Sequence, residues 1–284
     1  MILVTGASGF IGSHFLRRAS SLHPIRCLVR RSSLSKITPM NSLEIFEGDL
    51  LNQEDIQRAV RGVKMIVHLG ALLRTKKPGQ IMRVNVEGTH RLVEAAKKES
   101  VKRFVFISSE NAMREDLCDA YAVSKREAEK IVRTFENSLI LRPCFVYGAG
   151  DDHGLGKLVE IVERSPIVPL FLNLRSQIQP MYIDDAVEYL MRAVSMNIRG
   201  AAILAGPEKI NLNDFLKKVC EVRKKRKLFI PLPPFFLNAA QRKNIYGSRT
   251  YSIEKTVSDF EYSPRGIEAG LRLWFKRPAA SVGL

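Results

Sequence analysis

The chain has 284 residues, 45% of them hydrophobic, with 45 Lys and Arg set against 29 Asp and Glu. This composition supports a full buried core in one large domain or two small ones and excludes a disordered chain. No apolar run approaches the roughly 18 residues that a membrane span needs, and Met1 to Val4 is too short for a signal sequence, so a cytoplasmic location is expected.

A formal charge of +16 favours anionic partners such as phosphorylated cofactors. Outside Arg223 to Lys227 the basic residues are spread as on a solvated surface, so nucleic acid is not expected as a partner. Cys27, Cys118, Cys144 and Cys220 form no C-x-x-C pair and have no close histidine, which indicates neither a metal site nor a disulfide framework.

In chain order, Met1 to Thr5 reads as a buried strand, followed by a glycine-rich turn and an apolar-periodic helix from Phe10 to Leu22. Strands are predicted at Ile25 to Val29, Leu43 to Phe46, Lys64 to Leu69, Arg103 to Ser108 and Ser138 to Leu141. Between them lie helices at Glu54 to Val60, Gln80 to Glu99 and Tyr121 to Phe135. Such alternation predicts an α/β fold, a Rossmann-type doubly wound parallel sheet covered on both faces. After Gly148 the pattern loosens around Pro166, Pro169 and Pro180. A helix near Asp185 to Met196, a strand at Ala201 to Leu204, a helix at Leu212 to Lys224 and a proline-rich stretch at Ile230 to Pro234 follow. The expected division is a dinucleotide-binding domain of residues 1–148 and about 178–205, with a small C-terminal substrate lobe of about 149–177 and 206–284.

The sharpest motif is Val4-Thr5-Gly6-Ala7-Ser8-Gly9-Phe10-Ile11-Gly12. Three glycines at three-residue spacing between a strand and a helix let the backbone turn tightly, let a pyrophosphate reach the helix N-terminus, and let helix and strand pack closely. Gly6, Ser8, Gly9, Phe10, Ile11 and Gly12 are therefore candidate cofactor contacts. At the end of the second strand, where a carboxylate would bind the ribose of NAD, stand Arg30 and Arg31. Two guanidinium groups suit a 2′-phosphate, so NADP(H) is expected in preference to NAD(H). Further on, Tyr121 and Lys125 are four apart and share one helix face. An ammonium beside the phenol favours the phenolate, which would make Tyr121 a general acid or base with its pKa lowered by Lys125.

With these residues in view, the sequence resembles the extended and atypical branches of the short-chain dehydrogenase/reductase superfamily, the NAD-dependent epimerase/dehydratase-like proteins. The resemblance runs from Met1 to about Val187. It rests on Thr5 to Gly12, Gly48-Asp49, His68-Leu69-Gly70-Ala71, Asn85 with Gly88-Thr89, Ser108-Ser109, Tyr121 to Lys125, Leu141-Arg142-Pro143, Val146-Tyr147-Gly148 and Ile183-Asp184-Asp185. It implies a catalytic trio of Ser109, Tyr121 and Lys125, with Ser109 on the substrate oxygen and Lys125 also holding the nicotinamide ribose. Asp49 and Leu50 would bracket the adenine, Gly70 and Ala71 would line the cleft, Asn85 would support the active-site geometry or cap a helix, and Pro143 would close the nicotinamide side. His68 is read as a packed residue.

The implied activity is hydride transfer on a carbonyl or secondary alcohol of a small molecule, a sugar or sugar-nucleotide, ending in epimerisation or simple reduction. Helices of this family form dimer interfaces, which implies a homodimer. Two departures stand out. Cys144-Phe145 replace the asparagine that sugar-nucleotide enzymes carry after the proline of L-R-P. Glu110 is followed by Asn111, so the acidic pair of the dehydratases is absent. A different class of function is a non-catalytic NADPH-binding structural module resembling an accessory subunit of respiratory complex I; an intact trio argues against it. The run Arg223 to Lys227 before Leu228-Phe229-Ile230-Pro231 and Phe235-Phe236-Leu237 is read as a basic helix end beside an apolar wall rather than as a membrane contact.

Overall fold

The computed structural model describes residues 1–40, 42–75, 77–152, 154–237, 242 and 245–276. It divides into two compact units, Met1–Pro143 with Val187–Ile203, and Cys144–Ala186 with Leu204–Leu284.

In the first unit β1 (Ile2–Thr5), β2 (Ile25–Val29), β3 (Leu43–Glu47), β4 (Met65–His68), β5 (Arg103–Ile107) and β6 (Ser138–Pro143) lie side by side. The sheet order is β10-β6-β5-β4-β1-β2-β3, with β10 at Gly200–Leu204. Neighbours from β3 to β6 run parallel. All four residues of β1 and all five of β5 are buried, as strands covered on both faces require. The order reverses between β1 and β4, and in open parallel sheets the crevice at such a reversal is where ligands sit.

The covering helices are α1 (Phe10–Ala19), α2 (Gln53–Val60), α3 (Pro78–Met82), α4 (Gly88–Lys98) and α5 (Ala120–Val132). Leu3, Ile66 and Phe104 of the sheet pack with Ile56, Leu92, Val93 and Val132 of the helices in one apolar cluster. Asn52 caps α2 by accepting from the amides of Glu54 and Asp55. Arg103, buried in β5, is satisfied by the carbonyls of Ala193 at 3.0 Å and Ile198 at 2.8 Å.

The predicted helix over Gln80 to Glu99 is present but not uniform. Between α3 and α4 the chain makes a π turn over Arg83–Glu87, so an extra residue is accommodated within one continuous helix.

In the second unit β7 (Val146–Tyr147) pairs in parallel with β9 (Met181–Tyr182), and β8 (Ile167–Phe171) pairs in parallel with β11 (Leu228–Leu232). The helices α6 (Leu155–Arg164) and α8 (Leu212–Arg223), and those over Glu254–Phe260 and Ile267–Lys276, complete it, while α7 (Ile183–Ser195) begins in this unit. Asp185 is fully buried there and accepts from the Tyr262 hydroxyl at 2.5 Å and from the Arg265 amide at 3.3 Å. The strands β7 and β9 are two residues long, and β8 and β11 each hold a proline, Pro169 and Pro231, which is why periodicity did not announce them.

Candidate active site

The sequence builds the first half of the site at the ends of β1 and β4. Gly6 leaves β1 with φ +72°, and a Cβ there would come within 2.5 Å of the Gly70 nitrogen, so the turn and the end of β4 meet backbone to backbone. A side chain at Gly12 would collide with the Gly6 carbonyl oxygen, which keeps α1 tight against the turn. Gly9 is the N-cap of α1 without any side-chain cap, and its first turn holds no acidic residue. The helix end thus keeps amide donors and positive dipole for an anion. Ser8, Phe10 and Ile11 flank this opening, each partly exposed.

Leu50 sits beside both Gly70 and Gly88, where added Cβ atoms would lie 3.1 Å from its side chain. Asp49 uses its own carboxylate to accept from the Leu51 amide at 2.8 Å, and its amide donates to Asp55 at 3.0 Å. Ala71 follows on the strip Gly70 to Leu72. Arg30 and Arg31 are exposed past the end of β2, Arg31 opening a short 3-10 helix over Arg31–Lys36. A cradle that side chains would fill, an uncapped helix end and two exposed guanidiniums together fit a phosphorylated dinucleotide.

The second half stands on α5. Asp119 caps this helix, its carboxylate accepting from the amides of Tyr121 at 3.1 Å and Ala122 at 3.0 Å, and so fixes where Tyr121 begins. Ser109 follows β5 and stands near enough to Tyr121 for its hydroxyl to favour the ionised phenol. Its oxygen also accepts from the Asn111 amide at 3.2 Å. The structure therefore brings Ser109 and Tyr121 together. Lys125, buried one turn on, donates from Nζ to the Ile107 carbonyl at 2.7 Å and lies 4.5 Å from the centre of the Phe106 ring.

The expectation that Lys125 lowers the Tyr121 phenol is corrected here. Burial pushes that phenol up to about 12, opposed by the nearby Ser109 hydroxyl and reinforced by Glu110 and Asp119; the ammonium is turned to Ile107 and Phe106 instead. Burial also brings Lys125 down to about 7, with Glu129 acting against the fall. Glu129 is itself buried. Burial favours its neutral form, but Arg142, whose Nε donates at 2.8 Å, and the Ser108 hydroxyl at 2.7 Å hold it below the usual carboxylate range. Pro143, buried, ends β6 next to Arg142.

A chain of buried polar groups joins the two halves. Thr5 Oγ1 accepts from the Gly70 amide at 3.2 Å and lies 2.5 Å from His68 Nδ1. His68 Nε2 lies 2.9 Å from Thr89 Oγ1, and the Thr89 hydroxyl donates to the Asn85 carbonyl at 2.6 Å. That one proton being used, Thr89 can only accept from Nε2–H, so Nδ1 is the bare nitrogen and takes the Thr5 proton. Burial, with Lys125 nearby, brings the imidazole down to about 3, consistent with a neutral ring. The Asn85 amide donates to Ser124 Oγ at 2.9 Å and to the Leu72 carbonyl at 3.0 Å, and its oxygen accepts from the Leu72 amide at 2.7 Å. Ser124 returns its proton to the Tyr121 carbonyl at 2.8 Å. Sequence reasoning named Asn85 and His68, quoted Thr5, Thr89 and Ser124 only within motifs without a role, and missed Glu129; buried polar residues on otherwise apolar faces were the available signal.

Comparison with known proteins identifies the family and the fold. Among curated relatives, a ceramide reductase of Caulobacter vibrioides is 34% identical over 67% of this chain and 60% of its own length, so the chain spans about three fifths of that relative. The 3 beta-hydroxysteroid dehydrogenase/Delta 5-->4-isomerase of Mycobacterium tuberculosis is 24% identical over 78% of this chain and 68% of its own. Among solved structures, a UDP-glucose 4-epimerase from Thermotoga maritima superposes with a TM-score of 0.82 at 22% identity, covering 97% of both chains, a likeness of fold. The model of the NAD dependent epimerase/dehydratase family matches residues 2–211, and on that match, with the glycine turn and the Tyr121 helix where the fold needs them, the chain belongs to this family.

Proposed function

We propose that the chain is an NADP(H)-dependent oxidoreductase that moves hydride between the cofactor and a carbonyl or secondary alcohol. The observation that carries this reading is Tyr121 beside Ser109 at the end of β5, with the Lys125 ammonium buried one turn along the same helix.

Gly6 to Gly12 would hold the pyrophosphate, Arg30 and Arg31 the 2′-phosphate, and Asp49 with Leu50 the adenine. Gly70, Ala71 and Pro143 would border the nicotinamide end, which when bound supplies or accepts the hydride. Ser109 donates to the substrate oxygen and orients it. Tyr121 gives its proton to that oxygen as the carbon is reduced, or takes it in the reverse direction. A phenol pushed up to about 12 rests in its protonated form, the form that reduction consumes. Lys125 would hold the ribose. In this reading the first unit carries the cofactor and the second receives the substrate.

For substrate class the reading shifts from a sugar nucleotide toward the keto or hydroxyl group of an apolar molecule. Cys144 and Phe145 stand where the sugar-nucleotide pattern places an asparagine. The relatives named above are called a ceramide reductase and a 3 beta-hydroxysteroid dehydrogenase/Delta 5-->4-isomerase.

The test is NADPH oxidation against lipid ketones, steroid ketones and nucleotide sugars, with Tyr121→Phe as the control. The expected result is turnover on a ketone that falls by about 10²–10⁴ in the variant, with NADPH binding kept. Binding without turnover across the whole panel would replace this reading with that of a structural NADPH-binding module.

A further inference from the structure

Two strands of the second unit carry an unusual surface. Among the described residues β8 and β11 pair only with each other, and Leu228, Phe229 and Ile230 are all exposed, so side chains on both faces of β11 meet solvent. Just beyond, Phe235 is 69% and Phe236 67% exposed, their rings 4.5 Å apart. Large apolar groups scattered singly need no explanation; a contiguous set rimmed by charge does.

The charge is of one sign. From residue 222 to 253 the chain has eight Lys and Arg and no Asp or Glu, and residues 164–183, which contain β8, also lack a carboxylate. The fold uses alternate members of the basic run. Arg223 donates to both Glu163 oxygens at 2.8 and 3.0 Å, Lys225 to the same carboxylate at 2.9 Å, and Lys227 to the Ser165 carbonyl at 2.6 Å. Lys224 and Arg226, between them, are exposed. Three of the five cations are thus tied to Glu163 and Ser165, and Lys224 and Arg226 are left exposed just before the apolar strand.

We infer that this face docks on an anionic lipid bilayer, with Phe229, Phe235 and Phe236 entering the headgroup boundary and Lys224 and Arg226 meeting lipid phosphates. Apolar insertion and electrostatic attraction act together at such interfaces, and neither alone holds a protein firmly. Charge complementarity favours lipid over a second copy, since a symmetric self-contact brings the same cations face to face. Exposed phenylalanines have an apolar phase to enter at a bilayer and none along a duplex backbone. The inference stands on this surface alone and not on the enzymatic reading, although an apolar substrate would be met at such a surface.

The full chain is tested by flotation with vesicles of phosphatidylglycerol and phosphatidylcholine in equal parts, against phosphatidylcholine alone. Binding to the anionic vesicles is expected to weaken with added salt. It is expected to fall about tenfold or more in Lys224→Glu/Arg226→Glu, and by a similar factor in Phe235→Ser/Phe236→Ser. These side chains are exposed, so folding is kept, and NADPH affinity and near-UV dichroism verify it; the salt dependence of the native chain is a second reading free of any variant. No flotation, equal flotation with both vesicle types, or flotation unchanged in both variants overturns the inference. So does a dimer in sedimentation that Phe235→Ser/Phe236→Ser dissolves, or tighter binding to duplex DNA than to the anionic vesicles.

Discussion

The side-chain amide of Asn85 donates to the hydroxyl of Ser124 across 2.9 Å, joining the π turn of one helix to the turn of α5 that carries Tyr121. The same amide group holds both backbone groups of Leu72, on the strip that follows β4. Asn85 is thus a positioning residue, touching the strip beside the cofactor turn and the helix of the proton donor at once.

Asn85→Ala leaves the Leu72 amide and carbonyl and the Ser124 hydroxyl short of partners in a buried place. Each such loss costs about 1–3 kcal/mol, so a clear fall in unfolding midpoint is expected by calorimetry. In the proposed reaction kcat should drop more than the apparent KM for ketone rises. A variant with native stability and native kcat would remove Asn85 from this role.

His68 should make the fold acid-sensitive. Its folded pKa is brought from 6.5 to about 3, so below pH 6.5 the unfolded chain takes a proton that the folded chain refuses. The unfolded state then binds more protons, and stability falls as pH drops through that window, by several kcal/mol at its lower end. Denaturant melts between pH 6.5 and 4 should show the slope, and His68→Gln should flatten it. An equal slope in the variant would assign the effect to other groups.

Lys125 imposes a cost of the same pH sense in a higher window. Its folded pKa is brought from 10.5 to about 7, so between those values the unfolded chain again holds the extra proton and stability rises with pH. Lys125→Met removes a buried charge while keeping the stem. A gain of about 1–4 kcal/mol near pH 7 is expected in the cofactor-free chain, measured by urea unfolding, along with loss of turnover. A destabilised variant would show that the Ile107 contact outweighs the desolvation.

The exposed pair Arg30 and Arg31 should set the choice of cofactor. In Arg30→Ala/Arg31→Ala, affinity for NADP+ is expected to fall by about tenfold or more, since charge-assisted bonds contribute about 1.5–3 kcal/mol, while affinity for NAD+ stays level. Fluorescence titration of both nucleotides decides it. An unchanged ratio of affinities would sink the assignment.

Most of the sheet was legible because its signals were local. β1, β2 and β5 are runs of apolar residues set by length and flanking turns, and the glycines at 6, 9 and 12 announce a turn that only they can make. What stayed hidden depends on distant partners. Nothing near Glu129 in sequence says that Arg142 and Ser108 hold it, and the spacing of Tyr121 and Lys125 does not reveal that the ammonium turns to Ile107. The strands of the second unit escaped notice because Pro166, Pro169 and Pro231 read as loop, whereas β8 and β11 form a two-stranded sheet whose exposed β11 is an edge where proline is tolerated.

The π turn at Arg83–Glu87 has one more consequence. An added residue in a helix changes the azimuth of everything after it, and here that phase decides whether Thr89 meets His68. Winding the same residues at ordinary pitch, with none removed, would swing α4 by about 100° about its axis. A change of winding that a surface loop would absorb would, at this place, uncouple the imidazole from its partner.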